Sequence, residues 1–417
     1  MSGNNTIIII GGGLVGSLCA IFMARRGYSV TVFEYRNDIR LDKFVHGRSI
    51  NLALSNRGRS ALSAVQLENL ILKSAIPMKG RLLHSIKGET KNIPYDNRSN
   101  QCIYSVGRNY LNGVLLTEME KYPNVKICFN HKLIRVNFEE EVITILDLKT
   151  QEAKTCYADL IVGADGAFST LRRFMQQTPL FEFNQTYIKH GYLELTIPAE
   201  RGNKMVPNHL HIWPREEFMM IALPNEDSSW TVTLFMPFTS FESLNNETKL
   251  RNFFHTVFPD AVPLIGENLL VSDFFRVQPS PLISVKCNPH HVGSKFLIIG
   301  DAAHAMVPFY GQGMNAGFED CLLFDNILCE NQNDIARSIR QFSFRRVQDA
   351  HAICELAMYN YVEMRDLITR RPYYIRKFVD ELLFGIFPRG WIPLYNSVTF
   401  TDIPYEKCTE NRKWQDK

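Results

Sequence analysis

The chain has 417 residues, of which 45% are hydrophobic and 21% are charged, with 46 Lys and Arg against 43 Asp and Glu. This composition is typical of globular proteins and excludes an intrinsically disordered chain. The net charge of only +3 lacks the strong basic excess of many nucleic-acid-binding proteins, so we expect no nucleic-acid partner. At roughly 150 residues for each domain, the length predicts about two to three domains.

Cysteine spacing and apolar runs limit the compartment and the kinds of site. The nine cysteines are irregularly spaced and include no Cys-x-x-Cys pair. We therefore expect reduced thiols in an intracellular protein, without a zinc site or another metal centre. The sequence contains no apolar stretch of roughly 18 residues and no signal-peptide pattern, so we expect no membrane span within it.

The first predicted unit is a buried strand over residues 7–10, a glycine-rich turn and a helix over 14–26. A second strand, over 29–33, ends at Glu34, where a carboxylate can bind a ribose hydroxyl. In a G-x-G-x-x-G turn, the first glycine permits the bend, the second admits a pyrophosphate and the third lets the helix pack on the strand. The glycines here are Gly11, Gly13 and Gly16. They predict a dinucleotide site, and the alternative is an ordinary glycine-rich turn.

Two later segments repeat the order of strand, glycine and helix. Residues 159–172 carry Asp165 at the end of a short apolar strand, and residues 295–317 carry Asp301 in the same position. We expect all three units to form one parallel sheet, with a ligand at the carboxyl ends of its strands. Asp165 could bind a ribose, although Asp-Gly is also favoured in ordinary turns. The helix predicted to begin near Gly313 would stabilise negative charge at its N-terminus.

Between the second and third units the pattern changes. Short runs rich in β-forming residues at 209–213, 218–223 and 230–235 alternate with turns, which predicts an inserted antiparallel sheet. After Gly317 the chain is predicted to be mainly helical to about residue 368, and a further helix is predicted over 371–386. We expect this last helix, which is aromatic and basic, to be buried in a helix bundle rather than to lie near a membrane surface.

The three motifs together resemble a known family. In chain order they are G-x-G-x-x-G, D-G-x-x-S-x-x-R and G-D-A-A-H-x3-P-x2-G-Q-G, and they resemble those of the FAD-dependent aromatic hydroxylases. This resemblance runs from about residue 6 to residue 320. Further runs, including 47–55, 308–320 and 358–365, are similar to the branch of the family that hydroxylates kynurenine, and that similarity covers essentially the whole chain.

The resemblance implies an α/β fold in which a Rossmann-like FAD-binding domain consists of residues 1–180 and 286–330. An inserted antiparallel-sheet substrate domain would occupy 181–285, and C-terminal helices would occupy 331–417. FAD would be tightly bound, and NADPH would dock transiently to reduce it. Reaction with O2 would form a C4a-hydroperoxide that converts L-kynurenine to 3-hydroxy-L-kynurenine. The aniline nitrogen activates the ring, so no strong catalytic base is implied.

The resemblance also implies roles for individual residues. FAD would be contacted by Gly11, Gly13, Val15, Gly16, Glu34, Arg36, Arg48, Ala53, Arg108, Leu133, Asp165, Asp301, Gly313, Met314 and Asn315. The substrate would be contacted by Arg81, Tyr95, Asn360 and Tyr395. This set suits an amino-acid head group, because an arginine fork binds a carboxylate and the amide both donates and accepts. Phe309, Tyr310 and Gln312 would lie near the flavin edge as catalytic residues.

Two alternatives remain open from the sequence. A related hydroxylase of another aromatic acid would carry the same motifs, and a partner-binding protein without catalytic activity can share the fold. Asp301 and the sequence Gly311-Gln312-Gly313 favour a flavin enzyme. Animal members of the family continue beyond a run like Lys413-Trp414-Gln415 into a membrane anchor, whereas this sequence stops at Lys417. We therefore expect the full-length protein to be anchored in the outer mitochondrial membrane and to face the cytosol, with this chain soluble by itself.

Overall fold

The computed structural model describes residues 5–41, 51–95 and 101–417. In chain order their strands are β1 (Thr6–Ile10), β2 (Ser29–Glu34), β3 (Asn51–Leu54), β4 (Ile76–Met78), β5 (Gly80–His84), β6 (Thr90–Pro94), β7 (Ile103–Gly107), β8 (Val125–Phe129), β9 (His131–Asn137), β10 (Val142–Asp147), β11 (Ala153–Tyr157), β12 (Leu160–Gly163), β13 (Glu182–Ile197), β14 (His209–Arg215), β15 (Phe218–Pro224), β16 (Trp230–Pro237), β17 (Ser280–Asn288), β18 (His291–Val292) and β19 (Phe296–Ile298).

Helices cover the sheets and form most of the C-terminal region. They are α1 (Leu14–Arg25), α2 (Asn56–Ala64), α3 (Glu68–Leu72), α4 (Arg108–Glu120), α5 (Thr170–Met175), α6 (Ala199–Gly202), α7 (Phe238–Ser243), α8 (Glu247–Val257), α9 (Val262–Ile265), α10 (Glu267–Arg276), α11 (Asp301–His304), α12 (Gly313–Glu330), α13 (Ile335–Arg365), α14 (Arg371–Ile386), α15 (Leu394–Phe400) and α16 (Tyr405–Gln415).

A mainly parallel sheet is formed by three distant parts of the chain. Its strand order is β18-β19-β12-β1-β2-β8, and every pair except β18 with β19 is parallel. The central strand β1 is a nearly continuous apolar run that is buried after its first residue, as expected for a strand covered on both faces. The prediction that the three strand-glycine-helix units share one parallel sheet is confirmed.

Two glycines set how α1 leaves this sheet. Gly11 has φ of +105°, a conformation that glycine tolerates and other residues rarely adopt. A Cβ on Gly16 would lie 1.9 Å from the carbonyl oxygen of Gly11, so only glycine lets the helix pack this closely. The rest of α1 is almost entirely buried, which explains why its sequence is apolar all round.

The second large sheet has the order β17-β13-β16-β15-β14-β5-β6. Its central strands are antiparallel and include all three β-rich runs, so the predicted antiparallel sheet is confirmed. The strands β5 and β6, however, come from the segment that the sequence division 1–180 assigns to the first domain. Here β5 pairs in parallel with β14, and β6 forms the edge. That division therefore omits a strand pair from the second sheet, because pairing between distant segments leaves no local signal.

The C-terminal region packs mainly through α13. This helix contacts α12 and the strands β14, β15 and β17 of the second sheet. Helix α14 begins and ends where the sequence predicted, but the expectation that it would be buried in a bundle is wrong. Asp380 is its only buried residue, whereas Ile375 and Phe378 are 66% and 67% exposed. Among the described residues, no helix is sufficiently long and apolar to cross a membrane. All nine cysteines lie in the described ranges, and none of them is paired with another there.

Candidate active site

A cavity of about 860 Å³ follows the carboxyl ends of β1, β2 and β12. We call it the main cavity, and its volume is near the upper end of the usual range for ligand sites. Twelve of the predicted cofactor residues line it: Gly11, Gly13, Val15, Glu34, Arg36, Ala53, Arg108, Leu133, Asp165, Asp301, Gly313 and Met314. Arg48 lies outside the described residues, and Gly16 and Asn315 do not line the cavity.

One end of the main cavity has the features of a nucleotide site. The carboxylate of Glu34 is buried and accepts hydrogen bonds from the backbone nitrogens of Gly12 at 2.7 Å and Arg36 at 2.9 Å. Helix α1 begins after Gly13 without a side-chain cap, so its first N–H groups are available to an anion. Within the described parts of the chain, a Cβ on Gly13 would meet nothing within 4 Å. The backbone is therefore open where a pyrophosphate would approach.

Asp165 provides a test of whether a ligand fits here. Its Oδ2 accepts hydrogen bonds from the backbone nitrogens of Thr170 at 2.6 Å and Leu171 at 3.2 Å. Its Oδ1 is buried and, within the described parts of the chain, has no hydrogen-bond partner. Burial raises the pKa of this carboxyl group. An unpaired buried oxygen at the cavity wall is costly unless a ligand donates to it, and a hydroxyl group of FAD fits that requirement.

Asn315 and Gly16 shape the site without facing it. The amide nitrogen of Asn315 donates to the carbonyl oxygens of Ala53 at 2.8 Å and Gly311 at 2.7 Å, and its Oδ1 accepts from the nitrogen of Ser55 at 2.8 Å. These bonds fasten β3 to the start of α12. The prediction that Asn315 and Gly16 contact the cofactor directly is not supported by this geometry, because the side chain of Asn315 is committed to backbone groups and Gly16 is packed under Gly11.

Asp301 begins α11 and faces the main cavity. Replacing it with alanine removes an acceptor from the cavity wall, so we expect Asp301→Ala to weaken FAD binding by about tenfold or more, which is about 1.4 kcal/mol. The ratio of flavin absorbance to protein absorbance after gel filtration measures the effect. Glu152→Ala, which changes an exposed carboxylate between β10 and β11, is the control. Full flavin content in the Asp301 variant would contradict its assignment.

A buried ionic network fixes the region behind Asp301. The carboxylate of Asp320 accepts from His304 Nε2 at 2.6 Å, from the nitrogen of Gly300 at 2.7 Å and from Arg346 Nε at 2.7 Å. Burial alone would raise the pKa of Asp320, but His304 and Arg346 hold it well below its ordinary value. The network joins α11, α12 and α13, and His304 lines neither the main cavity nor the second one described below, which indicates a structural role.

We expect Asp320→Asn to lower the free energy of unfolding by about 2–3 kcal/mol at pH 7, because it weakens several charge-assisted hydrogen bonds. The pKa of Asp320 is depressed on folding, so its contribution is present above about pH 4, the unfolded pKa, and is lost as the pH falls further. Urea unfolding of both proteins at pH 7 and near pH 2.5 measures this difference, which should be smaller at the lower pH. Equal stability at pH 7 would contradict the role of the network.

The other end of the main cavity is aromatic. Phe309 stacks on Tyr361 with ring centroids 3.8 Å apart and meets Phe235 edge-on at 4.9 Å. Phe309, Phe235 and Tyr310 all line the cavity. Burial raises the pKa of Tyr310 well above its ordinary value, so this phenol stays neutral at physiological pH. This end can hold a flat ring and exclude water from it.

Arg81 stands at the boundary with a second space. A cavity of about 590 Å³, the outer cavity, lies under α14 and shares Arg81 and Tyr395 with the main cavity. The Arg81 side chain is buried, and its guanidinium carbon lies 4.2 Å from the centre of the Tyr395 ring. Tyr95 stacks on Tyr395 at 5.3 Å. The structure therefore brings three of the four predicted substrate residues together.

The fourth predicted substrate residue, Asn360, and the predicted catalytic residue Gln312 line neither cavity. The Asn360 amide nitrogen donates to the carbonyl oxygen of Phe309 at 2.7 Å. Gln312 accepts from the Tyr405 hydroxyl at 3.1 Å and donates to Ser55 Oγ at 3.3 Å. Both amides hold the turn that carries Phe309 and Tyr310, so in this geometry they position the site and do not reach into it.

Among the lining residues that were missed from the sequence, two lie on α13. Glu363 lines the outer cavity and Met364 lines the main cavity. They follow Asn360 on α13 by three and four positions, the spacing that places side chains on one helix face. That spacing could have identified them, because Asn360 was already a candidate.

Comparison with known proteins agrees with this geometry. The family model described as "FAD binding domain" matches residues 4–340. The kynurenine 3-monooxygenase of Anopheles gambiae is 56% identical over 99% of this chain and 85% of its own length. The chain belongs to the kynurenine 3-monooxygenase family. It is therefore an FAD-dependent oxidoreductase and a monooxygenase by family. The kynurenine 3-monooxygenase of Sus scrofa is 49% identical over 99% of this chain and 87% of its own length.

Solved structures show how widely the fold of this kynurenine 3-monooxygenase family member is shared. PqsL of Pseudomonas aeruginosa superposes with a TM-score of 0.71 at 16% identity, over 87% of this chain and 97% of that one. The oxygenase of 2-methyl-3-hydroxypyridine-5-carboxylic acid gives 0.71 at 17% identity, over 88% and 94%. These similarities confirm the predicted α/β fold with a second sheet and C-terminal helices.

Proposed function

We propose that this protein hydroxylates L-kynurenine to 3-hydroxy-L-kynurenine and uses NADPH and O2 as co-substrates. The observation that carries the proposal is the buried Arg81, which lies at the aromatic end of the main cavity, opposite the nucleotide end. Its Nε is buried and, among the described residues, lacks a hydrogen-bond partner. A buried cation with an unused donor fits the carboxylate of an amino acid, and the aromatic end of the main cavity fits the aromatic ring of that amino acid.

The residues divide the work as follows. Arg81 and the hydroxyl groups of Tyr95 and Tyr395 bind the head group and so fix the distance of the ring from the nucleotide end. Phe235, Phe309 and Tyr310 hold the ring and exclude water. When FAD is bound and reduced by NADPH, it supplies the activated oxygen. The amino group on the substrate ring activates the neighbouring carbon, so the protein needs to supply orientation and not a strong base.

The experiment is to follow NADPH oxidation by the flavin-loaded protein in air, with and without L-kynurenine, and to weigh the product by mass spectrometry. Faster oxidation and a product heavier by one oxygen atom are expected. Faster oxidation that yields only peroxide would mean that kynurenine binds without being hydroxylated. No response to kynurenine would contradict the proposal and favour a hydroxylase of another aromatic acid. Such an acid would also fit the aromatic end of the main cavity and Arg81.

The resemblance to the family also implies a place of action. We propose the outer mitochondrial membrane, with the active site on the cytosolic side and the reaction serving tryptophan breakdown and NAD synthesis. Separation of cell fractions followed by the NADPH assay tests the location, and activity found only in another fraction would contradict it.

A further inference from the structure

We propose that Glu363 binds the ammonium group of the substrate and so makes the site specific for a zwitterionic amino acid over a simple aromatic acid. The inference rests on the proposed function and adds a specificity residue to it. Glu363 belongs to α13, lines the outer cavity and faces the boundary that Arg81 and Tyr395 form with the main cavity.

The two charges at this boundary are paired only loosely. Glu363 Oε1 lies 3.6 Å from Arg81 Nη1, which is too long for a hydrogen bond. The Arg81 side chain is 5% exposed and that of Glu363 is 18% exposed, so water solvates the pair poorly. A ligand that makes shorter contacts to both groups would therefore replace a weak interaction with two charge-assisted ones.

The separation of the two charges matches an amino-acid head group. In an α-amino acid the ammonium and carboxylate groups are bonded to the same carbon, and the nitrogen lies about 3 Å from the carboxylate oxygens. A cation and an anion on the protein at a similar separation can bind both, with the carboxylate on Arg81 and the ammonium on Glu363. The ring then extends into the main cavity, which Arg81 also lines.

The surroundings of Glu363 make binding of a ligand that has a carboxylate but no ammonium group unfavourable. Tyr310, Tyr359 and Tyr373 all lie near it, and burial followed by the charge of Glu363 raises the pKa of each phenol. These neighbours are neutral at physiological pH. The cations that also line the outer cavity each form an ion pair with another acid: Arg370, Arg376, Lys377 and Arg412. A ligand with only a carboxylate would therefore neutralise Arg81 and leave Glu363 as a poorly solvated anion without a cation of its own, and that cost discriminates against it.

The test compares L-kynurenine with 4-(2-aminophenyl)-4-oxobutanoate, which has the same aminophenyl ring and carboxylate but no α-amino group. Dissociation constants are measured by calorimetric titration of the FAD-loaded protein. The wild-type protein should bind L-kynurenine at least about tenfold more tightly than the analogue. Glu363→Gln should weaken L-kynurenine binding by about tenfold or more and leave binding of the analogue unchanged or tighter. Glu381→Gln, a change in another carboxylate of the outer cavity, should alter neither constant.

The outcomes separate the inference from the proposed function. Equal weakening of both ligands in Glu363→Gln would overturn the inference, because Glu363 would then act only by orienting Arg81. Unchanged binding of L-kynurenine in that variant would overturn it as well. Equal affinity of the wild-type protein for L-kynurenine and the analogue would also overturn the inference, and this measurement requires no variant. A wild-type protein that binds neither compound would instead contradict the proposed function.

Discussion

Arg81→Ala is expected to weaken binding of L-kynurenine by about 100-fold or more, at an unchanged FAD content. The guanidinium group is buried between the two cavities and stacks on Tyr395, so water cannot take its place easily. Truncating one partner of a buried, hydrogen-bonded charge pair typically costs about 2–5 kcal/mol.

The measurement is the dissociation constant for L-kynurenine, from calorimetry or from the change in flavin absorbance. Arg81→Lys should recover only part of the affinity, because an ammonium group cannot make the bidentate contact. Arg370→Ala is the matched control, since Arg370 lines the outer cavity but is exposed and already paired with Asp366. Unchanged affinity in Arg81→Ala would contradict the assignment of the carboxylate site.

Gly16→Ala is expected to lower the free energy of unfolding by about 3 kcal/mol or more and to abolish FAD binding. The added methyl group would lie 1.9 Å from the carbonyl oxygen of Gly11, which is backbone and cannot move aside as a side chain would. Overpacking of this kind forces a shift of α1 against β1. Since Gly11 is itself at the cavity wall, the shift would distort the nucleotide end.

Gly13→Ala separates this effect from a loss of cofactor contact. Its methyl group would meet no atom of the described residues within 4 Å, and the backbone of Gly13 has φ of −73°, which alanine adopts freely. Without FAD, we expect the free energy of unfolding of this variant to lie within about 1 kcal/mol of that of the wild type, because only the helix cap is affected. Its FAD binding should be strongly reduced. Thermal unfolding with and without added FAD measures both variants. Similar stability of the two variants without FAD would contradict the packing argument.

The parallel sheet was predictable because its evidence is local. An apolar strand, a glycine turn and a helix follow one another within about 20 residues, and the three copies share one ligand edge. The strand pair β5 and β6 could not be predicted in this way, because its partner β14 is remote in sequence and the pairing is set by tertiary packing. Such pairing is invisible to a reading of periodicity alone.

The site residues illustrate the same limit at atomic scale. Sequence similarity identifies Asn360, Gln312 and Asn315 as belonging to the site, but it does not reveal which atoms their amides bond. In the structure all three bond protein groups. Asn360 and Asn315 donate to carbonyl oxygens of the turn from Pro308 to Gly311, and Gln312 donates to Ser55. Glu363 shows the opposite case, since an ordinary glutamate on a long helix becomes informative only when Arg81 is found 3.6 Å away.

The topology of the parallel sheet has a consequence for biosynthesis. Strand β1 leaves the ribosome early, whereas β19 and β18, which complete the other side of β12, emerge after the entire second sheet. Until then β12 is an unprotected edge with free backbone groups, which invites pairing with other chains. Strand β19 then covers that edge by pairing with β12, and the two-residue strand β18 covers β19 with an antiparallel pair. Nascent chains that stall before residue 291 are therefore expected to aggregate and to depend on chaperones.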